Sequence, residues 1–176
     1  MTPMPTYGPA STPSSTTTGI ASSPSSTGRR SRPGGSREVF WTNAEGKQGQ
    51  GDYSTLNAAP VFTGRAVEAL SDLLEGRGEL LPLTVLGGSE AYAFNTTRLS
   101  DSLDRDRSEY DYYSSGTGRI MSVEDYVFDP ARVADETIFK LAILPRGFEY
   151  VTDRFRHRVE QAGLTGFRWA PVWTGA

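Results

Sequence analysis

The sequence predicts an α+β fold, mostly antiparallel sheet with two principal helices, preceded by a disordered tail. Three observations carry this. Composition breaks sharply near residue 37, apolar stripes of helical period run over 64–75 and 153–162, and short strand-like runs surround them without regular strand–helix alternation.

Residues 1–36 hold 27 Ser, Thr, Pro or Gly, and their large apolar side chains are Met1, Met4, Tyr7 and Ile20. Ordering a backbone costs about 1–2 kcal/mol per residue, and this stretch has too little apolar surface to offset it. The tail is therefore expected to be disordered, and residues 37–176 to form one globular domain.

Within that domain Val39, Phe40 and Trp41 suggest a strand over 38–42, followed by an ordered loop that runs past Tyr53 and Leu56. Ala66, Val67, Leu70, Leu73 and Leu74 then recur at the spacing that lays one apolar stripe along a helix. Thr63 stands at its N-cap and Gly76 at its left-handed stop. Two apolar runs, 80–86 and 90–95, meet across Gly87-Gly88 as a hairpin, with Pro82 pushing the first towards an edge. Gly116 and Gly118 mark a turn, 119–128 reads as β, and Asp129-Pro130 stops it. Thr137 to Leu144 is the most strand-like run and is expected to be central. A second helix, 153–162, has Thr152 as N-cap, Phe155 and Val159 inward, and Gly163 as its stop. A final strand covers 167–173, with Trp169 and Trp173 on one face by period-two alternation. Val67, Leu70, Leu73, Phe139, Leu141, Phe155, Val159 and Phe167 are the expected core.

From Glu38 onward 21 acids face 14 bases, a net charge of about −7, while the tail contributes Arg29, Arg30 and Arg32. That balance argues against a nucleic-acid binder, which needs clustered cations, and points to a basic partner. The absence of cysteine excludes disulfides, thiolate metal sites and a Cys nucleophile. No secretory signal and no apolar run of membrane-spanning length is visible, so the expected location is the cytoplasm.

Few residues offer chemistry. His157 is the single histidine and sits among Arg154, Arg156 and Arg158, the pattern of a surface helix residue. Glu136 and Lys140 resemble an acid–lysine nuclease pair, yet four residues along a strand set them about 13 Å apart. Lys140 is better read as packing its stem and exposing its ammonium. The dense acids Asp101, Asp104, Asp106 and Glu109 lack calcium-loop spacing. Tyr110, Tyr112 and Tyr113 follow them directly, and tyrosine beside charge is the composition of an interface anchor. These seven residues are the candidate partner-binding set; the competing reading makes them a solvated face and a structural strand. No motif calls for a cofactor or a metal.

Several motifs occur together in order. They are Gly78-Glu79-Leu80-Leu81-Pro82-Leu83, Tyr92-Ala93-Phe94-Asn95-Thr96-Thr97, Leu103-Asp104 with Arg107-Ser108-Glu109, Ile138-Phe139-Lys140-Leu141, Tyr150-Val151-Thr152-Asp153-Arg154-Phe155, and Ala162-Gly163-Leu164-Thr165-Gly166-Phe167. From about Leu70 to Trp173 the chain resembles the immunity proteins of bacterial polymorphic toxin systems, specifically the eleventh-numbered immunity family. The resemblance implies a small cytoplasmic α+β protein that neutralises a cognate toxin domain by binding it, and it carries over no catalytic residue. The alternatives are a hydrolase or nuclease-like enzyme using Asp104, Asp106 and Glu136, and a non-catalytic adaptor domain.

Overall fold

A computed structural model describes residues 6–8, 16–20, 37–43, 51–85 and 88–173. Of the tail, two short segments are described, β1 (Thr6–Gly8) and β2 (Thr16–Ile20); the rest of 1–36 lies outside the described residues. The expected strand near 38–42 is β3 (Arg37–Asn43). There follow β4 (Tyr53–Leu56), β5 (Ala59–Thr63), α1 (Gly64–Leu74), β6 (Gly78–Val85) and β7 (Glu90–Thr96). The second half contains β8 (Leu99–Ser100), β9 (Glu109–Tyr112), β10 (Ile120–Asp125), α2 (Pro130–Val133), β11 (Ile138–Leu141), β12 (Glu149–Thr152), α3 (Asp153–Gln161) and β13 (Ala170–Trp173).

Among the described residues the strands form three sheets, in the orders β2-β3-β6-β7-β5-β4, β13-β1-β12-β11-β8 and β10-β9. Pairing is antiparallel except for β3 with β6 and β8 with β11. The α+β expectation therefore holds, with α1 and α3 as its two longer helices.

The ends of α1 follow the sequence closely. The Thr63 hydroxyl accepts from the Ala66 N–H at 3.3 Å, and Gly76 takes a φ of 67° beyond the last turn. The α3 cap differs in detail. Thr152 is extended, but its hydroxyl donates to the Glu136 carbonyl at 3.0 Å, leaving Asp153 as the acid of the first turn. The Arg158 guanidinium of α3 then reaches α1, at 2.6 and 3.1 Å from the two Asp72 carboxylate oxygens.

Among the described residues, apolar side chains gather in three clusters. The first joins α1 and α3, through Leu70, Leu73, Phe155 and Val159, to Phe62, Phe94, Ile138 and Val151. The second covers the other face of the six-stranded sheet with Leu56, Val61 and Val85. The third lies across β11 and β12 from the helices and contains Leu103, Val123, Phe128, Phe139, Leu141 and Tyr150. Of the expected core, Val67 and Phe167 are only partly buried, and Phe139 and Leu141 belong to a different cluster from the helix residues.

Four expectations need correction. The stretch after β3 is not a loop throughout, because β4 and β5 pair as a hairpin across Asn57 and Ala58, both at positive φ (51° and 69°). Asp129-Pro130 starts a helix as well as ending a strand: the Asp129 carboxylate accepts from the Ala131 N–H at 2.9 Å, and Pro130 needs no donor in the first turn. The last strand begins only at Ala170, so Trp169 stacks on Phe167 in the first cluster while Trp173 meets Phe128 in the third. Finally, β6 is internal to its sheet, but β3 pairs with it only at Leu83, Thr84 and Val85, so Pro82 lies outside that ladder.

Candidate partner-binding surface

The 101–113 segment is tied to its surroundings through Leu103, Asp104 and Ser108. Leu103 bridges to Phe128, the Asp104 N–H donates to the Val127 carbonyl at 2.8 Å, and the Ser108 hydroxyl both accepts from the Val127 N–H and donates to its carbonyl. The candidate residues then divide by environment. Asp104 is a turn-former: one carboxylate oxygen accepts from the N–H groups of Asp106 and Arg107, each at 3.2 Å. Asp101 is engaged electrostatically, 2.8 Å from Arg105 and 3.9 Å from Arg132. Asp106 and Glu109 are exposed and have no ion-pair partner among the described residues.

The tyrosines divide too. Tyr110 is half-buried against the third cluster, and burial pushes its hydroxyl pKa up. Tyr112 and Tyr113 are 51% and 44% exposed. Tyr110 and Tyr112 share a face of β9, ring centroids 6.3 Å apart, so the strand anchors one tyrosine and presents the next. Tyr113 turns towards the hairpin tip, where the Arg119 guanidinium lies 5.2 Å from its ring centroid.

The β9–β10 register places Glu109 opposite Asp125 and Asp111 opposite Ser122. Like charges directly across a ladder destabilise it, so this acidic face is not explained by the hairpin's own stability. Beside the hairpin, a groove of about 620 Å³ separates it from the 143–148 turn. Tyr113, Arg119 and Met121 contribute one wall, Arg146 and Phe148 the other, and Tyr126 and Tyr150 the base. The two base hydroxyls lie 3.0 Å apart, and burial, with that hydrogen bond, pushes the Tyr150 pKa strongly up. Apart from Tyr113, which belongs to the candidate set, sequence reading missed these walls because they come from segments some 25 residues apart. The available signal was an arginine and an aromatic bracketing the glycine of a turn, Arg146-Gly147-Phe148.

Of the carboxylates in the catalytic alternative, Asp104 is held in its turn and Glu136 in ion pairs, while Asp106 is exposed. Glu136 is 2% exposed and held by Arg77 at 2.6 Å and Arg98 at 2.7 Å. Lys140 does not extend freely but pairs with Glu149, its cross-strand neighbour, at 3.3 Å. Burial raises the Glu149 pKa against the lowering effect of that lysine. His157 is exposed on α3. No helix among the described residues is long and apolar enough to cross a membrane.

A family model for the immunity protein family Imm11 matches residues 86–174, a span that includes the acidic segment, the hairpin and both walls of the groove. No curated protein matches the chain.

Proposed function

The chain belongs to the Imm11 immunity protein family, and on that premise we propose that it protects its host by binding a cognate bacterial toxin domain directly and without chemistry. The family match is the observation that carries the reading. The engagement of Glu136 by two guanidinium groups supports it over the hydrolase alternative, since a carboxylate so held is poorly placed to accept a proton or a metal. Action in the cytoplasm, where an incoming toxin would meet its targets, belongs to the same proposal.

The binding surface in this reading includes the exposed members of the 101–113 set, Asp101, Asp106, Glu109, Tyr112 and Tyr113, with Asp104 and Tyr110 shaping the segment beneath them. A net charge of about −7 from Glu38 onward steers a basic toxin domain towards the protein and raises the association rate. Exposed tyrosines supply contact area that slows dissociation.

Co-expression tests the reading. A toxin domain encoded beside this gene, induced in a bacterial host, should arrest growth alone and be tolerated when this chain is present. The two should also co-purify as a stoichiometric complex. Protection without a complex would sink direct binding, and a complex without protection would sink the immunity role.

A further inference from the structure

The groove beside the β9–β10 hairpin reverses the electrostatic character of the chain. The protein carries 21 acids against 18 lysines and arginines, yet the groove lining contains two arginines and no carboxylate. Arg119 and Arg146 stand on opposite walls, both exposed, and neither has an ion-pair partner among the described residues. Exposed apolar side chains line the groove as well: Met121 is 46% exposed and Phe148 59%. Scattered exposed apolar residues need no explanation, but these line one depression with an exposed tyrosine and two guanidinium groups that no carboxylate holds. Aromatic, methionine and arginine side chains are the types enriched at the centre of protein interfaces. A volume of about 620 Å³ has room for a few partner side chains.

We propose that this groove receives a segment of the toxin domain that presents an apolar side chain flanked by carboxylates. The inference rests on the toxin-binding reading and adds to it the seat and the chemistry of the contact. Phe148, Met121 and Tyr113 cover the apolar side chain, while Arg119 and Arg146 each take a carboxylate from opposite sides. Charge complementarity selects this occupant. The acidic balance of the chain repels a partner's carboxylates in general, whereas the groove lining, with two arginines and no carboxylate, attracts them, and that contrast favours one docked register as well as adding affinity.

The test uses the full chain and a catalytically inactivated form of the toxin domain encoded beside the gene, with affinity measured by calorimetry. Arg119→Glu with Arg146→Glu should weaken binding by about a hundredfold or more, and Phe148→Ala by roughly tenfold. Arg154→Glu on α3, across the β11–β12 sheet from the groove, should change affinity by no more than about twofold, as expected for a charge outside the contact. All three groove residues are exposed, so melting temperatures should match the parent. Hydrogen exchange on the unsubstituted complex gives a second reading without any variant: protection should appear at 118–122 and 143–148. Equal losses from the groove and α3 reversals, or unchanged affinity in every variant, would overturn the groove while leaving toxin binding intact. A parent chain that fails to bind the toxin domain removes both readings. Retention of a single-stranded oligonucleotide through these arginines, with toxin affinity unaffected by their reversal, would reassign the groove to nucleic acid and overturn the proposal.

Discussion

Arg98 grips Glu136 with two nitrogens: its Nε lies 3.0 Å from both carboxylate oxygens and its Nη2 2.7 Å from Oε1. Arg77 closes on Oε2 from the other side and also donates to the Asp135 carbonyl. The pairing joins the turn between α1 and β6, the residue before β8 and the approach to β11 around one buried carboxylate. Glu136→Gln should cost about 3 kcal/mol, since removing one partner of a buried pair leaves uncompensated charge. Arg98→Ala should cost less, because Arg98 is nearly half exposed and Arg77 remains. Urea denaturation of the two variants checks the order; equal midpoints would refute it.

The helix layer is the larger mechanical element. Leu70→Ala and Phe155→Ala should each destabilise by roughly 2–5 kcal/mol, because both side chains are almost fully buried in the first cluster. Val67→Ala, at a partly buried position, should cost about 1 kcal/mol. Thermal melts that ranked Val67 above Leu70 would mean that α1 presents a different face.

Asp52 gives a pH signature. Burial opposes its charge, but the Thr165 N–H, the Thr63 and Thr165 hydroxyls and Arg65 together hold its pKa below the ordinary 3.8. A depressed folded-state pKa stabilises the fold fully above the unfolded value, and that contribution disappears as pH falls through the folded one. Asp52→Asn should therefore cost about 1–3 kcal/mol at pH 7. The gap from the parent should narrow steadily below pH 3.8. A gap independent of pH would show that packing, not charge, holds this junction.

Within the acidic segment, Asp104 and Asp106 should behave differently. Asp104→Lys removes the acceptor for two backbone N–H groups and should cost about 1 kcal/mol, as loss of a helix cap does. Asp106→Lys, at an exposed position, should stay within about 0.5 kcal/mol of the parent. Asp106→Lys combined with Glu109→Lys is thus the clean probe of this surface: it should abolish protection against the toxin while the protein melts as before. Retained protection would place the contact elsewhere.

Limited proteolysis addresses the proposed boundary at residue 37. A resistant core beginning near 37–40 is expected from the composition of the tail. Retention of Thr6–Gly8, which pairs with β12 and β13, would move the boundary to the start of the chain.

What the sequence made legible was local. The α1 and α3 stripes with their flanking Thr and Gly are complete within a dozen residues. The β4–β5 hairpin escaped because its turn is Asn57-Ala58, where alanine takes the positive φ that glycine would have advertised. The helix α2 escaped because Asp-Pro reads as a stop, although the same pair caps and begins a helix. The separate destinations of Trp169 and Trp173 follow from where β13 begins, which tertiary pairing decides. Asp104 looked like surface charge because an Asx turn needs only the right backbone, not a distinctive neighbour. The groove was invisible for a similar reason: its walls meet only after the hairpin folds against the 143–148 turn.

The β11–β12 pair sends Ile138 and Val151 towards the helices and Phe139, Leu141 and Tyr150 towards the hairpin. This partition has an evolutionary consequence. If the protein binds a toxin as proposed, a lineage pressed by a changing toxin must alter its contact residues without losing solubility or yield. Here the hairpin, its tyrosines and the 143–148 turn stand on one side of a sheet whose opposite side is sealed by α1 and α3. On the proposed reading, in which the contact lies on the exposed side, successive substitutions there would leave the helix layer untouched, and recognition could diverge while the scaffold stays the same.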